Sequence, residues 1–447
     1  MVKINRKWAV VTCLMALLIW GNSLVPGSGS GSLSLTVMEA IRGFLHSVGL
    51  PYEWVTNFVV RKCAHFTEYM VLGILATHAF DFEGRRTFDV LLPTAVFLLL
   101  PGCGVQKTPD TGYTKYSAQF YGTFDTVVQI VGYCKTEEEF SRYAGQIKSR
   151  MEELSQLYDI YYEYSDENNL KTINDNAGIQ PVPVREEILD LIEFCQEWYG
   201  KTDGKVNIAL GPVLSIWHNY MERYSADPTD AKLPKIESLM EKLPVCNIED
   251  VIVDREAGTV YLAKEGMSLD VGAVAKGYAT QLACQEAYDA GFTSFIVSAG
   301  GNVVAADPPL DGIRSSWGIG IQDPFTAEEL GGGNSIDVAY VNNTCVVTSG
   351  DYQRYYMVGK QRVHHIIDPD TLMPAAYYRG VTVIIPDSGI ADLASTTLYT
   401  LPYEDSRAMA EKMGWEAMWI FADGTVECTD GMIPLLRDRG GADGLLK

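Results

Sequence analysis

Apolar positions along the 447-residue chain fall into two regimes that meet near residue 106. Upstream they come as long, mostly apolar runs, each led by basic residues. Trp8 to Trp20 follows Lys3, Arg6 and Lys7; Cys63 to Phe80 follows Arg61 and Lys62; Val90 to Leu100 follows Arg85 and Arg86. A helix that crosses lipid needs about 20 mostly apolar residues. The first run continues weakly to Pro26 and predicts a signal anchor or first span, and the second predicts a further membrane helix. The Gly/Ser composition of Gly27 to Ser34 predicts a flexible loop between them. The third run is too short for a comfortable span. Its basic start, short apolar core and Leu100-Pro101-Gly102-Cys103 ending describe a lipoprotein-type signal with Cys103 as the lipidated residue. The other reading is an uncleaved third membrane segment in which Cys103 is an ordinary thiol. Both place the rest of the chain on the extracytoplasmic face of the cell membrane, because the basic clusters at 3–7 and 85–86 favour the inner side.

Beyond a polar tether, Lys107 to Lys115, the runs shorten and take on periods of two and of 3.6. Phe124 to Tyr133 is β-branched and apolar and predicts a strand. Glu137 to Leu157 and Val184 to Trp198 carry helical spacing. Thr259 to Ala263 and Ser268 to Asp270 predict short strands around a turn at Gly266. Val271 to Ala290 predicts a helix stopped by Gly291, and Phe295 to Ala299 a strand ended by Gly300-Gly301. Strands and helices alternate irregularly, so the predicted class is α+β, a mixed α/β globule behind an N-terminal helical membrane segment. The predicted boundaries are 1–84 for the membrane segment, 85–106 for the signal or third membrane segment with its tether, and 107–447 for the globular domain.

Charge sharpens this division. Residues 1–102 carry eight basic and six acidic residues and the remainder 27 and 51, so the overall −22 is concentrated as −24 in the globular part. A domain this acidic is not a generic partner for nucleic-acid phosphates. Nine cysteines without a Cys-x-x-Cys pair support neither a zinc ribbon nor a thioredoxin motif.

In the membrane part, Arg61-Lys-Cys-Ala-His-Phe-Thr-Glu-Tyr69 and Trp20-Gly-Asn-Ser-Leu-Val-Pro-Gly27 carry a resemblance. They resemble the Arg-Lys-x-Ala-His-x-x-Glu-Tyr signature and first loop of VanZ-like membrane proteins, in a shortened form covering residues 1 to about 80. His65 and Glu68 are three apart and share one face of a helix.

Four clusters in the globular part bear chemistry. In Ser268 to Tyr278, Gly272 and Ala273 lead into a helix whose free N–H groups favour anions, with Lys276 in its first turns. Taken alone, this is equally a helix-starting turn with a surface lysine. Ile296 to Asn302 ends a strand in paired glycines, which suit a sharp turn or close passage of a flat ligand. Val347 to Tyr352 precedes His364-His365-Ile-Ile-Asp-Pro369. Adjacent strand residues point to opposite faces, so one histidine at most faces a site, as proton acceptor or ligand contact rather than as half of a metal pair. Gly389 to Thr396 sets Asp392 and Thr396 four apart on one helical face with Ser395 beside them. A carboxylate with hydroxyls is an oxygen set that Mg²⁺ accepts alongside phosphate. The plainer alternative is an Asp N-cap with surface hydroxyls.

Taken in order, LDVGAVAKGYA from Leu269, SAGGN from Ser298, TSGDY from Thr348, HHIIDP from His364 and ADLASTTL from Ala391 resemble the ApbE family. These are FAD:protein FMN transferases, extracytoplasmic lipoproteins. The resemblance runs from about Tyr116 to about Met432, helped by Phe124-Asp-Thr126, Asn174 and Gly211-Pro-Val-Leu-Ser-Ile-Trp217. It implies Mg²⁺ ligands at Asp392, Thr396, the Ala273 carbonyl and Ser395. It implies FAD contacts at Phe124, Tyr164, Trp217, His218, Asn219, Asp270, Lys276 and His365, and a proton acceptor among His364, His365 and Asp270. The implied reaction moves FMN from FAD to a Thr or Ser hydroxyl of an acceptor redox protein and releases AMP. A flavin-binding lipoprotein without turnover and an FAD pyrophosphate hydrolase are the alternatives. This chain departs from the family at His218-Asn219-Tyr220, where members often have Gly-Phe-Gly, at Asn302, where they often have Asp, and at Thr371-Leu-Met-Pro374, where they often have Thr-Gly-x-Pro.

Overall fold

The computed structural model describes residues 111–327 and 334–439, together with the short strand pair Lys3–Ile4 and Phe80–Asp81. The expected membrane helices, the VanZ-like segment and Cys103 lie outside the described residues. Among the described residues, no helix is long and apolar enough to cross a membrane. The chain divides into two compact units, Met1–Thr108 and Pro109–Lys447.

The second unit is built on eight antiparallel strands that lie side by side in chain order. They are β1 (Thr114–Thr123), β2 (Thr126–Cys134), β3 (Phe295–Ala299), β4 (Asn302–Ala305), β5 (Thr344–Gly350), β6 (Gly380–Ile385), β7 (Glu416–Ile420) and β8 (Val426–Cys428). Antiparallel pairing in chain order, with helices inserted between neighbours, fits a mixed α/β rather than a doubly wound architecture. One face carries helices α1 (Glu137–Leu157), α4 (Ala275–Asp289) and α5 (Ser388–Tyr399) over Val128, Ile130, Val297, Val347, Val381 and Val383, with α2 (Glu186–Lys201) packed against α1. The other face is covered by a ribbon of Trp317–Gln322 and Ser335–Val341, whose Trp317, Ile319 and Ile321 meet Tyr133, Val346, Ile384 and Met418. Strand β6, covered on both sides, is buried at every position.

Local pattern and final element agree where one face is strongly apolar. Helix α1 spans the expected residues, with Thr136 as its N-cap and Glu137, Glu138 and Glu139 complementing the dipole. Strand β3 also matches. Three expectations change. The tether gives way to β1 from Thr114 onward, an edge strand that turns Tyr116, Ala118 and Phe120 towards the core. The strand expected from Phe124 begins at Thr126, because Phe124 and Asp125 form the β1–β2 turn with φ of 50° and 51°. Ser268 to Asp270 is extended but pairs with no strand, and α4 starts at Ala275 after a turn at 272–274.

Sheet order brings two turns and the end of β5 together. Thr126 of the β1–β2 turn lies against Gly300, where a Cβ would come within 2.1 Å of its Oγ1. The Thr348 N–H donates to the Gly301 carbonyl at 3.4 Å. The ends of β3, β4 and β5 therefore meet, with Ser349 of β5 directed at α5.

Candidate functional site

The site begins where α4 and α5 cross. Gly277 permits the crossing, since a Cβ there would sit 2.3 Å from the Ser388 carbonyl oxygen and 2.5 Å from the Asp392 Cβ. Contact this close lets the Gly277 N–H donate to Asp392 Oδ2 at 2.8 Å. Gly277 is the third residue of α4, so its N–H has no intrahelical acceptor of its own. The Ala273 carbonyl, just ahead of the N-cap Val274, accepts from no backbone N–H among the described residues. The Asp392 side chain is 7% exposed, and its other oxygen, Oδ1, lies 3.6 Å from Lys276 Nζ.

Along α5, Asp387 rather than Asp392 is the N-cap, so the carboxylate at 392 is an inward-facing helical residue. Thr396 comes one turn later and is partly accessible. Ser395 is fully buried, donates to the Asp392 carbonyl at 3.0 Å and shares a 2.7 Å hydrogen bond with Ser349 Oγ. Ser349 Oγ also lies 3.3 Å from Thr396 Oγ1. Ser395 is thus a buried buttress whose proton is given to the Asp392 carbonyl and whose oxygen meets Ser349, which departs from its expected place among the metal ligands. Ser349 joins the cluster from β5. Its only signal in the chain was its place in the Thr348-Ser-Gly-Asp-Tyr motif.

The segment before α4 is held on both sides. Asn174 grips Leu269, donating from Nδ2 to its carbonyl at 3.0 Å and accepting its N–H on Oδ1 at 2.6 Å. The Asp270 N–H donates to the Ile208 carbonyl at 2.8 Å, and Asp270 Oδ1 accepts the Gly272 N–H at 2.9 Å. Asp270 Oδ2 faces His218 Nε2 at 3.7 Å, and His218 Nδ1 lies 3.1 Å from the Tyr161 hydroxyl.

The two adjacent histidines separate cleanly. His364 is buried, with Nε2–H donating to the Ala375 carbonyl at 2.7 Å, Nδ1 accepting the Ile366 N–H at 3.2 Å, and its ring edge-on to Tyr399. Both nitrogens are occupied, so His364 is a core residue and not a proton acceptor. His365 is half-buried and points Nδ1 at the Arg354 carbonyl, 3.2 Å away. That bond places the proton on Nδ1 and leaves Nε2 open. Loss of water around the ring lowers its pKa, and the neighbouring His364, Arg354 and Lys276 add to the effect. His365 is therefore a neutral base close enough to Lys276 to feel its charge.

Other expected contacts are placed elsewhere. Trp217, 2% exposed, sits in a separate core and donates from Nε1 to the Leu372 carbonyl, so it supports its helix α3 (Gly211–Ala226) instead of facing a ligand. Its neighbours His218 and Asn219 reach the surface. The Tyr164 hydroxyl donates to Asp159, and Tyr161 is the tyrosine that reaches the Asp270 cluster. Phe124 packs partly against the main core from the β1–β2 turn, its N–H donating to Ser155 Oγ.

His364 has a consequence for stability. Burial lowers its pKa, whereas an unfolded histidine takes up a proton near pH 6.5. Below that value the unfolded chain binds more protons, so this contribution is complete above about pH 6.5 and is lost as pH falls. A His364→Gln chain is expected to lose less Tm than the parent between about pH 7 and pH 5. Calorimetry across that range checks this, and equal slopes would show that the ring does not carry the effect.

The ApbE family model matches residues 124–419. The chain is 30% identical over 321 residues to the FAD:protein FMN transferase of Treponema pallidum, covering 68% of this chain and 86% of that protein. It is 26% identical over 343 residues to the FAD:protein FMN transferase of Escherichia coli K12, covering 75% and 92%. The solved ApbE protein of Thermotoga maritima superposes with a TM-score of 0.63 at 28% identity, covering 72% of this chain and all of that one. With the matched region taking in Asp270, Lys276, Ser349, His365, Asp392 and Thr396, the chain belongs to the ApbE family.

Proposed function

We propose that this protein transfers the FMN part of FAD to a Thr or Ser hydroxyl of an acceptor redox protein, releasing AMP, in a Mg²⁺-dependent reaction. The observation that carries this reading is the oxygen set at the α4–α5 crossing: Asp392 Oδ1, the Thr396 hydroxyl and an Ala273 carbonyl that accepts from no backbone N–H among the described residues. One carboxylate with neutral oxygens is what Mg²⁺ takes up when substrate phosphates complete its shell. The described residues contain no group of three or more His, Cys, Asp or Glu suited to a metal, so a cation site here draws on hydroxyl and carbonyl oxygens. Asp392, Thr396 and Ala273 would hold the ion, and when bound it supplies charge neutralisation at the pyrophosphate.

The remaining steps belong to the chain's own residues. Lys276 and the start of α4 place positive charge where the pyrophosphate oxygens lie. His365 Nε2 takes the proton of the acceptor hydroxyl. That oxygen bonds to the flavin-side phosphorus while the bond to the bridging oxygen breaks, and AMP leaves with it. A His365→Gln chain is expected to turn over about a hundredfold more slowly with little change in FAD affinity. In the parent, the acid limb of the rate is expected below the ordinary histidine range, because the neutral ring persists to lower pH.

The test is direct. The full chain is incubated with FAD, Mg²⁺ and an acceptor bearing a Ser/Thr-Gly-Ala-Thr-like segment, and mass spectrometry looks for added FMN that disappears with excess EDTA. Free FMN without protein-bound FMN would favour hydrolysis, and retained FAD without either product would favour a binding protein. We further propose that the domain works on the extracytoplasmic face, tethered by the N-terminal segment or by lipid at Cys103. The basic clusters at 3–7 and 85–86 support this. A tether raises the local concentration of membrane-associated acceptors.

A further inference from the structure

We propose that Lys205 is a positioning residue for the transfer, a clasp that holds His365 where its Nε2 can take the acceptor proton. The inference rests on His365 being the base. His365 lies between two hairpins and belongs to the ladder of neither. The first pairs Tyr355–Val358 with Gln361–His364 and ends with Tyr355 opposite His364. The second opens at Ile366, whose carbonyl accepts the Ala375 N–H at 3.1 Å. It continues through the Ile367–Pro374 bridge to Asp368, whose N–H donates to the Met373 carbonyl at 2.9 Å. The His365 ring reaches back to the start of the first hairpin through its 3.2 Å bond to the Arg354 carbonyl. That bond survives only while the second hairpin is held in place against the first.

The tip of the second hairpin needs fastening. Leu372 stands there at φ 59°, a left-handed conformation that a bulky side chain rarely takes and that persists only where the surroundings enforce it. Three contacts do so. The Leu372 side chain is buried in one core with Tyr356 and Val363 of the first hairpin and with Trp217 of α3. Its carbonyl accepts the Trp217 Nε1–H at 2.9 Å. Lys205 closes the tip, its Nζ donating to Asp368 Oδ1 at 2.9 Å and to Asp370 Oδ2 at 2.7 Å.

Lys205 is itself fixed. It ends the turn after α2, where the Gly204 N–H donates to the Tyr199 carbonyl at 2.9 Å and the Lys205 N–H to the Thr202 carbonyl at 3.1 Å. Its side chain is 10% exposed and that of Asp368 is 5% exposed, so each charge depends on the other. Asp368 also accepts the Asp370 N–H at 3.2 Å and the Thr371 hydroxyl at 3.3 Å, and so carries the backbone of the tip with it. Without the ammonium, two carboxylates drawn to one point repel each other beside a strained Leu372. The tip then opens, and His365 slips from the Arg354 carbonyl. The α4–α5 crossing shares none of these contacts, so the proposed cation site stays as it is.

The experiment compares the full chain with its Lys205→Met, Lys205→Arg, Asp370→Asn and Lys205→Met/Asp370→Asn variants. Transfer kinetics, FAD Kd and a melting curve are measured on each, with the nitrogen NMR signals of the His365 ring, which report whether its proton is held on Nδ1. Lys205→Met should lower kcat about tenfold, change the FAD Kd by less than about twofold, and move the His365 signals towards a mixture of tautomers. Lys205→Arg also bridges two carboxylates and should stay within about threefold of the parent. Asp370→Asn alone should do little, since that side chain is 73% exposed and Lys205 keeps Asp368. Added to Lys205→Met, it should restore kcat by at least about threefold, because it removes the repulsion. A lysine that only filled space would not be rescued in this way. Where Lys205→Met does not fold, Trp217→Phe tests the same tip, keeping a ring in the core and removing only the N–H to Leu372. It should give the same loss of kcat and the same change in the His365 signals. Parent-like kcat and His365 signals in the folded variant would overturn the clasp, as would a loss that neither Lys205→Arg nor Asp370→Asn relieves. A His365→Gln chain as fast as the parent would refute the base and leave the clasp to be decided by the ring signals.

Discussion

An Asp392→Asn chain is expected to transfer flavin about a thousandfold more slowly than the parent, equivalent to roughly 4 kcal/mol of transition-state stabilisation, while keeping its Tm within about 5 °C. The amide retains the shape of the carboxylate and an oxygen that accepts the Gly277 N–H, so the α4–α5 crossing persists. What disappears is the negative charge opposite Lys276 and with it the anionic donor of the proposed cation site. Initial rates at saturating FAD and Mg²⁺, with a melting curve on the same sample, check both halves. A rate within threefold of the parent and an unchanged fold would remove Asp392 from the proposed metal site.

Gly277→Ala is expected to act on stability and rate together. The new methyl meets a backbone carbonyl oxygen at 2.3 Å and the Asp392 Cβ at 2.5 Å, and neither is the far end of a flexible side chain. The helices must move apart, at a cost of about 1–3 kcal/mol for overpacking. The same movement lengthens the Gly277–Asp392 bond and carries the carboxylate off position. A shift of about 1 Å in a positioning group is enough to cost about a hundredfold in rate. The prediction is a Tm lower by at least about 5 °C with turnover reduced a hundredfold or more. Gly145→Ala is the control, because Gly145 is exposed on α1 with open space where the Cβ would lie. There the change should stabilise the helix by up to about 1 kcal/mol without touching the rate. Equal behaviour of the two variants would mean that close approach at Gly277 is not what places Asp392.

How much could be read in advance depended on how local each feature is. Helix α1 and strand β3 were legible because one apolar face repeats at a single period and clear stop signals flank it. Strand β1 was not, because an edge strand exposes one face and its polar residues resemble a tether. The β1–β2 turn hid in an apolar run because Phe124 and Asp125 adopt positive φ without a glycine. At the site, the spacing of Asp392 and Thr396 on one helix face was visible in the chain. The roles of Trp217, Ser395 and His364 were not, since each is decided by what its polar atoms meet: Leu372, Ser349 and Ala375.

The chain alone therefore identified the chemical vocabulary: an acidic domain, a helix start with Lys276, a carboxylate and hydroxyl four residues apart, and two neighbouring histidines. Folding settled which of these act together. Gly277 and Asp392 are 115 residues apart, and their bond is what sets the Asp392 carboxylate against the start of α4. Arg354 fixes the proton on His365, and Tyr161, 57 residues from His218, orients its ring towards Asp270. Periodicity reports which face of an element is buried, but it holds no information about which distant atom that face will meet.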